Sequence, residues 1–144
     1  MSEIPALPLA SFGRRLLSLC YELLLLAAIL FIAGWIFLAV QNLMPQPVAH
    51  LLLQLYLLTV CGGYFVYCWT HGGQTLPMKT WRLKVVMRDG TALSSSRAAL
   101  RYVLALLSVI CAGIGFLWPL IDPQRQYLHD RIAGTRIVNA QRAN

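Results

Sequence analysis

Three long runs of apolar residues constrain this chain more than any other feature. They extend from about Leu16 to Val40, from Val48 to Trp69 and from Tyr102 to Ile121, each near the ~20 residues that a spanning helix needs. A soluble domain of 144 residues has no interior large enough to hide all three. The composition agrees: apolar residues make up 58%, charged residues 12%, and the mean hydropathy is +0.64, far from the soluble average. These values exclude an ordinary water-soluble domain and point to a single membrane domain over residues 1–144. The first run is too long for a signal-peptide core, and "LAVQN" is a poor cleavage site, so it is expected to stay as an anchor.

Charge placement sets the expected orientation. Arg14 and Arg15 precede the first run, Lys79, Arg82, Lys84, Arg88, Arg97 and Arg101 cluster after the second, and Arg125, Arg131, Arg136 and Arg142 follow the third. The connection "QNLMPQP" carries no charge. The positive-inside rule then makes the N-terminus and the loop over about 70–97 cytoplasmic. A third run that crossed once would strand four arginines outside. Gly113 and Gly115 in "CAGIGF" leave two arrangements open: a segment that breaks, dips in and returns, or an ordinary third span with packing glycines.

The polar segments carry signals of local order. "LKVVMRDGTAL" reads as a short strand, an Asp89-Gly90 turn and a second extended stretch, a hairpin pattern. "GTRIV" at 134–138 would add a strand if the C-terminus returned to the same side. "DPQRQYLHDRIAG" reads as a short interfacial helix with Asp122 at the N-cap, Pro123 at the first position and Gly134 just past the end.

Catalytic and metal patterns are lacking, so no enzyme activity, metal or cofactor is expected. Cys20, Cys61, Cys68 and Cys111 all lie in apolar runs, where thiols behave as small hydrophobes. None has zinc-type CxxC spacing, although Cys61 and Cys68 share a helix face that could carry a soft metal. His50, His71 and His129 sit near the ends of runs, where solvated or interfacial histidine is the plainer reading. "HGGQT" lacks the spacing and lysine of a phosphate loop. Topology and anionic lipid account for the basic residues, which speaks against nucleic-acid binding.

"RRLLSLCYELLLL", "GGQTLPMKTWRLKVVMRDGTALS", "ALRYVLALL" and "DPQRQYLHDRIAGTRIV" together resemble the RDD family of small prokaryotic integral membrane proteins, in order and over nearly the whole chain. The family takes its name from one arginine and two aspartates. The resemblance maps these onto Arg15, Glu22 and Asp130, with glutamate replacing the first aspartate, and puts Pro77 where the family pattern "GQTLG" has glycine. It implies an all-α membrane protein with two full transmembrane helices, a third apolar segment that re-enters or spans, a small cytoplasmic β-hairpin and a short C-terminal helix. It implies the bacterial cytoplasmic (inner) membrane as location. Cation/proton antiport has been suggested for some members.

Arg15 and Glu22 are seven residues apart and share a helix face, about 10 Å apart along the axis. Glu22 lies about two turns into the apolar layer, where a lone carboxylate costs on the order of 2.5–3.5 kcal/mol. Two outcomes follow. Glu22, Asp130, Arg15 and a supporting residue such as Arg101, His129 or Arg131 can converge into a polar clasp that fixes the third segment, which suits a structural, accessory or assembly component. Alternatively Glu22 and Asp130 exchange protons in an oligomeric cation/proton-coupled transporter. Gln54, Tyr56, Thr59, Tyr64 and Tyr67 are the path residues available to the second scheme, with Tyr56 and Tyr64 read first as packing aromatics. The expected partners are the lipid bilayer and either further copies of the chain or another membrane protein. The substrate is unknown.

Overall fold

The computed structural model describes residues 9–111, 113–123 and 126–140. Arg125 and Arg142, two of the expected flanking cations, lie outside the described residues. α1 spans Phe12–Gln41 and α2 spans Gln46–Thr70. At 1.5 Å per residue α1 is about 45 Å long and α2 about 38 Å, both longer than a ~30 Å hydrocarbon layer. Their most apolar windows are only 11% and 6% buried within the molecule. Helices this apolar and this uncovered are suited to lipid contact, whereas the core helix of a soluble protein would be enclosed.

α1 is inside out relative to a soluble helix. Its buried stripe begins with Arg15, Ser18 and Glu22 and continues to Ala33 and Phe37, while Leu23, Leu24, Phe31 and Trp35 are exposed. The spacing of 3, 4, 11 and 4 follows one helical face. In an apolar solvent the polar groups must turn toward one another, and leucine loses nothing by facing out.

α3 (Leu76–Thr80), β1 (Leu83–Met87), α4 (Ser95–Ile110), α5 (Ile114–Leu117), a 3₁₀ turn at Trp118–Leu120, α6 (Leu128–Ala133) and β2 (Thr135–Asn139) complete the order. β1 and β2 pair antiparallel with Leu83 opposite Asn139 and Met87 opposite Thr135. The segment before α1 joins the same edge, where Leu9 bridges Val138 and Ala10 N donates to Ile137 O at 3.2 Å. The start of α1, the strand after α2 and the last described strand therefore meet at one end of the molecule. Trp69, Met78, Leu83, Val85, Leu93, Ala98, Tyr127 and Ile137 form the packed core there.

Two local expectations are corrected. The hairpin does not form: after Asp89-Gly90 the chain leads into α4, and β1 takes β2 as its partner. The turn signal is nonetheless real, since Met87 N donates to Thr91 O and Asp89 accepts from the Thr91 amide and hydroxyl. β2 wins because it brings Thr135, Ile137 and Val138 onto the core, which "TAL" cannot match. Second, the helix read over 122–133 starts only at Leu128, and its N-cap is Tyr127. Asp122 instead accepts from Gln126 N at 3.1 Å and from Arg131 at 2.5 Å, a side-chain alternative to helix. Gly134 ends the helix as read, in the left-handed conformation with φ 71°.

Of the two arrangements left open for the third run, the one that breaks is found: the run from Tyr102 to Ile121 is not one continuous helix. α4 begins earlier, at Ser95, because Ser94 caps it by accepting from Arg97 N. It stops at Ile110, followed by Gly113 at φ 75° and the short pieces α5 and the 3₁₀ turn. The remaining chain comes back along α4, and α6 packs against it.

Candidate functional site

The polar stripe of α1 meets α3 first. Gly72 and Gly73 end α2 with φ of 107° and 72°, and a Cβ on Gly73 would come within 2.6 Å of Val85 O. That close turn lays the next residues on β1, with Val85 N donating to Gly73 O at 2.7 Å. Thr75 is thereby pinned, fully buried, as the N-cap of α3. Its hydroxyl accepts from Met78 N at 3.4 Å and donates to Glu22 Oε2 at 2.5 Å. Pro77 fits the first turn of α3, where its fixed φ and missing N–H cost nothing.

Glu22 receives a second donor from α2. Tyr64 Oη donates to Oε1 at 2.9 Å, so each carboxylate oxygen is bonded and α1, α2 and α3 are tied through one side chain. Of the five polar residues singled out on the second run, Tyr64 alone makes a hydrogen bond to Glu22. Tyr56 stacks on Phe37, Thr59 donates to Leu55 O within its own helix, and Tyr67 stacks on His71. Thr75 was missed in sequence. Its signal is a threonine directly before Leu-Pro, an N-cap pattern, but nothing local says that its proton goes to a residue of α1.

A second tie holds α4 to α6. Arg101 Nε donates to Asp130 Oδ1 at 2.6 Å, and both groups are buried. The guanidinium lies over the Trp69 ring, 4.2 Å from its centroid. Thr135 Oγ1 adds a 3.2 Å bond to the same Oδ1, and His129 Nε2 stands 3.8 Å from it. Burial works to raise the Asp130 carboxyl, but the Arg101 charge, His129 and the hydrogen bonds from Arg101 and Thr135 prevail and hold it below the usual range. Burial pushes His129 down to about 4 against the attraction of Asp130, with Arg101 assisting. At neutral pH His129 is therefore uncharged.

Glu22 and Asp130 do not touch directly; Arg101 is the basic group they share. It bonds Asp130, and it lines the same cavity as Glu22. Arg15 sits about two turns nearer the helix start than Glu22, with its guanidinium 5.5 Å from the centroid of Tyr127. Arg131 points elsewhere: it pairs with Asp122, and its side chain is 51% exposed. Arg88 and Arg97 donate to Arg131 O and Ala133 O at the C-terminal end of α6, where cations suit the free carbonyls. Of the six sequence-selected residues, Arg15, Glu22, Arg101 and His129 line one cavity of about 380 Å³ and Asp130 lies behind Arg101. Among the described residues no cluster of three metal-ligand side chains occurs.

Comparison with known proteins places the chain in a family. The model of the RDD family matches residues 9–134, most of the chain. The uncharacterized protein RP437 of Rickettsia prowazekii (strain Madrid E) is 33% identical over 85 residues, which cover 58% of this chain and 46% of that protein. The matched stretch is thus under half of that relative's length. No solved structure matches. The chain belongs to the RDD family and is a membrane protein of that type.

Proposed function

We propose that this RDD-family chain is a structural or accessory component of a bacterial cytoplasmic membrane, built as two spanning helices with a third apolar segment that enters and returns. The reading is supported by one observation above all: β1 and β2 pair, and Arg101 of α4 bonds Asp130 of α6. Residues on either side of the third run thereby belong to the same end of the molecule. Both the cationic middle loop and the arginines after the third run then lie with the N-terminus in the cytoplasm, as the positive-inside rule asks. The buried cluster is the clasp. Glu22 fastens α1 to α2 and α3, and Arg101–Asp130 fastens the returning segment to α4.

A clasp of this kind leaves the outer faces of α1 and α2 apolar and uncovered, suited to lipid and to helices of another membrane protein or of further copies. Reporter fusions test the topology: a fusion after Asn144 should report cytoplasm and one in the 42–45 turn the opposite side. An external C-terminus would reject the returning segment.

A second reading, cation/proton-coupled transport, is favoured by the position of Glu22 on the cavity wall. It would use Glu22 without Asp130, which is 1% exposed and locked to Arg101. Cation-dependent proton flux in vesicles separates the two readings. Absence of flux from wild type supports the accessory role; flux present in wild type and lost in Glu22→Gln establishes coupling and removes it.

A further inference from the structure

The cavity at the clasp is closed at one end and open at the other. Arg15, Glu22, Trp69, Thr75 and Tyr127, which line the inner end, are all buried. Of the lining residues on α1 and α4, only Leu23 and Val109 are exposed, at 59% and 60%. Each stands eight residues beyond an arginine of the inner end, Arg15 or Arg101, which is about 12 Å of helix. In a hydrocarbon layer ~30 Å thick the mouth therefore opens sideways between α1 and α4, inside the layer and not at its surface. A guest must come from the hydrocarbon itself, where a charged head group does not follow. The inner end asks for no charge either: Arg15 and Arg101 are matched by Glu22 and Asp130, and most of the remaining lining is apolar. One polar atom there is unmet. The indole N–H of Trp69 is buried with no acceptor among the described residues, although buried polar groups are ordinarily paired. Beside it, Phe65 stacks on Trp69 with centroids 4.9 Å apart, and Tyr102 lies 6.0 Å from Phe65. Flat aromatic side chains thus stand along the cavity near its inner end.

We propose that this cavity binds one uncharged prenyl lipid of the quinone class, taken up sideways from the bilayer interior. The prenyl chain lies against Leu26, Leu30 and Leu106. The ring enters head first, packs on the aromatic side chains, and offers a carbonyl oxygen to the Trp69 N–H. A quinone ring carries acceptors and no donor, which matches an inner end whose unmet group is a donor. At about 380 Å³ the cavity falls within the ligand-pocket range of roughly 300–1,000 Å³. The proposal concerns binding alone; it needs the apolar spans and the clasp, and it holds under the accessory and the transport readings alike.

Native mass spectrometry of the full chain, purified in detergent and titrated with lipid, tests the proposal. A short-chain menaquinone should be retained at one per chain, in preference to squalene, a prenyl hydrocarbon without a carbonyl, and to geranylgeraniol, whose head is a hydroxyl. Leu106→Trp fills the groove away from the polar cluster and should weaken menaquinone retention about tenfold or more, a difference of about 1.4 kcal/mol, with thermal stability near wild type. Trp69→Phe keeps a ring and removes the N–H. It should weaken menaquinone by a similar factor and leave squalene unchanged, a split that a merely loosened fold would not give. Equal retention of menaquinone and squalene by wild type overturns the proposal in favour of a bare hydrocarbon guest. Unchanged menaquinone retention in both variants also overturns it, and so does a lipid-free dimer in which a second copy fills the groove.

Discussion

Thr75 donates its hydroxyl proton to Glu22 across 53 residues of sequence, at 2.5 Å, while the same oxygen accepts from Met78 N to cap α3. One hydroxyl thus starts a short helix and supplies a donor to the acid in α1.

That double use makes Thr75→Val a specific probe. The shape is kept, but the bond to Glu22 and the cap are both lost. Hydrogen bonds to charged groups contribute about 1.5–3 kcal/mol, so thermal unfolding in detergent should fall clearly for Thr75→Val. Thr75→Ser restores the hydroxyl and should stay near wild type. If valine and serine behave alike, the hydroxyl is not what holds α1 to α3.

Arg101 and Asp130 should be strongly coupled. Removing one partner of a buried pair leaves an uncompensated charge and costs about 3–5 kcal/mol. Arg101→Met and Asp130→Leu should each destabilise by that order. The double variant should be closer to wild type than the sum of the two, because no lone charge remains. Additive losses in a double-mutant cycle would show that the pair does not act as a unit.

Acid should loosen the α4–α6 tie. His129 is held down to about 4 from an ordinary value of 6.5, so the unfolded chain binds a proton that the folded chain refuses. The sign follows from linkage: stability is full above 6.5 and is lost as pH falls from 6.5 toward 4. The shift corresponds to about 3 kcal/mol at most. Asp130, held below its ordinary 3.8, adds its own loss only below that value. Melting temperatures of wild type should drop between pH 7 and pH 5, and His129→Gln should flatten that drop.

Gly73→Ala should be costlier than its size suggests. The new Cβ would sit 2.6 Å from Val85 O at a φ of 72°, and such strain costs about 1–3 kcal/mol. Because this turn positions Thr75, the variant should also weaken the effect of Thr75→Val when the two are combined. Gly90→Ala, which meets nothing within 4 Å, serves as a control for the backbone term alone.

Much of the molecule could be read in one dimension. Twenty-residue apolar runs commit a chain to lipid, and α1 and α2 appear within a few residues of where those runs lie. A carboxylate two turns inside such a run must find donors, so Glu22 announced a site before any partner was known. The turn at Asp89-Gly90 and the stop at Gly134 are local chemistry and were equally legible, even where their consequences differed, whereas the Ser94 cap that starts α4 was not read.

The partners themselves were decided only by tertiary structure. Whether "LKVVM" pairs with the residues just after its turn or with "TRIVN" near the other end of the chain depends on which strand buries more against Trp69, Met78 and Leu93, a quantity no local pattern contains. The same holds for Tyr64, read from sequence as a packing aromatic and found donating to Glu22, and for Arg101, the cation that Glu22 and Asp130 share. Sequence reveals which groups lipid cannot tolerate alone. The fold chooses what satisfies them, because that choice is made by long-range geometry in which every buried donor and acceptor must be paired at once.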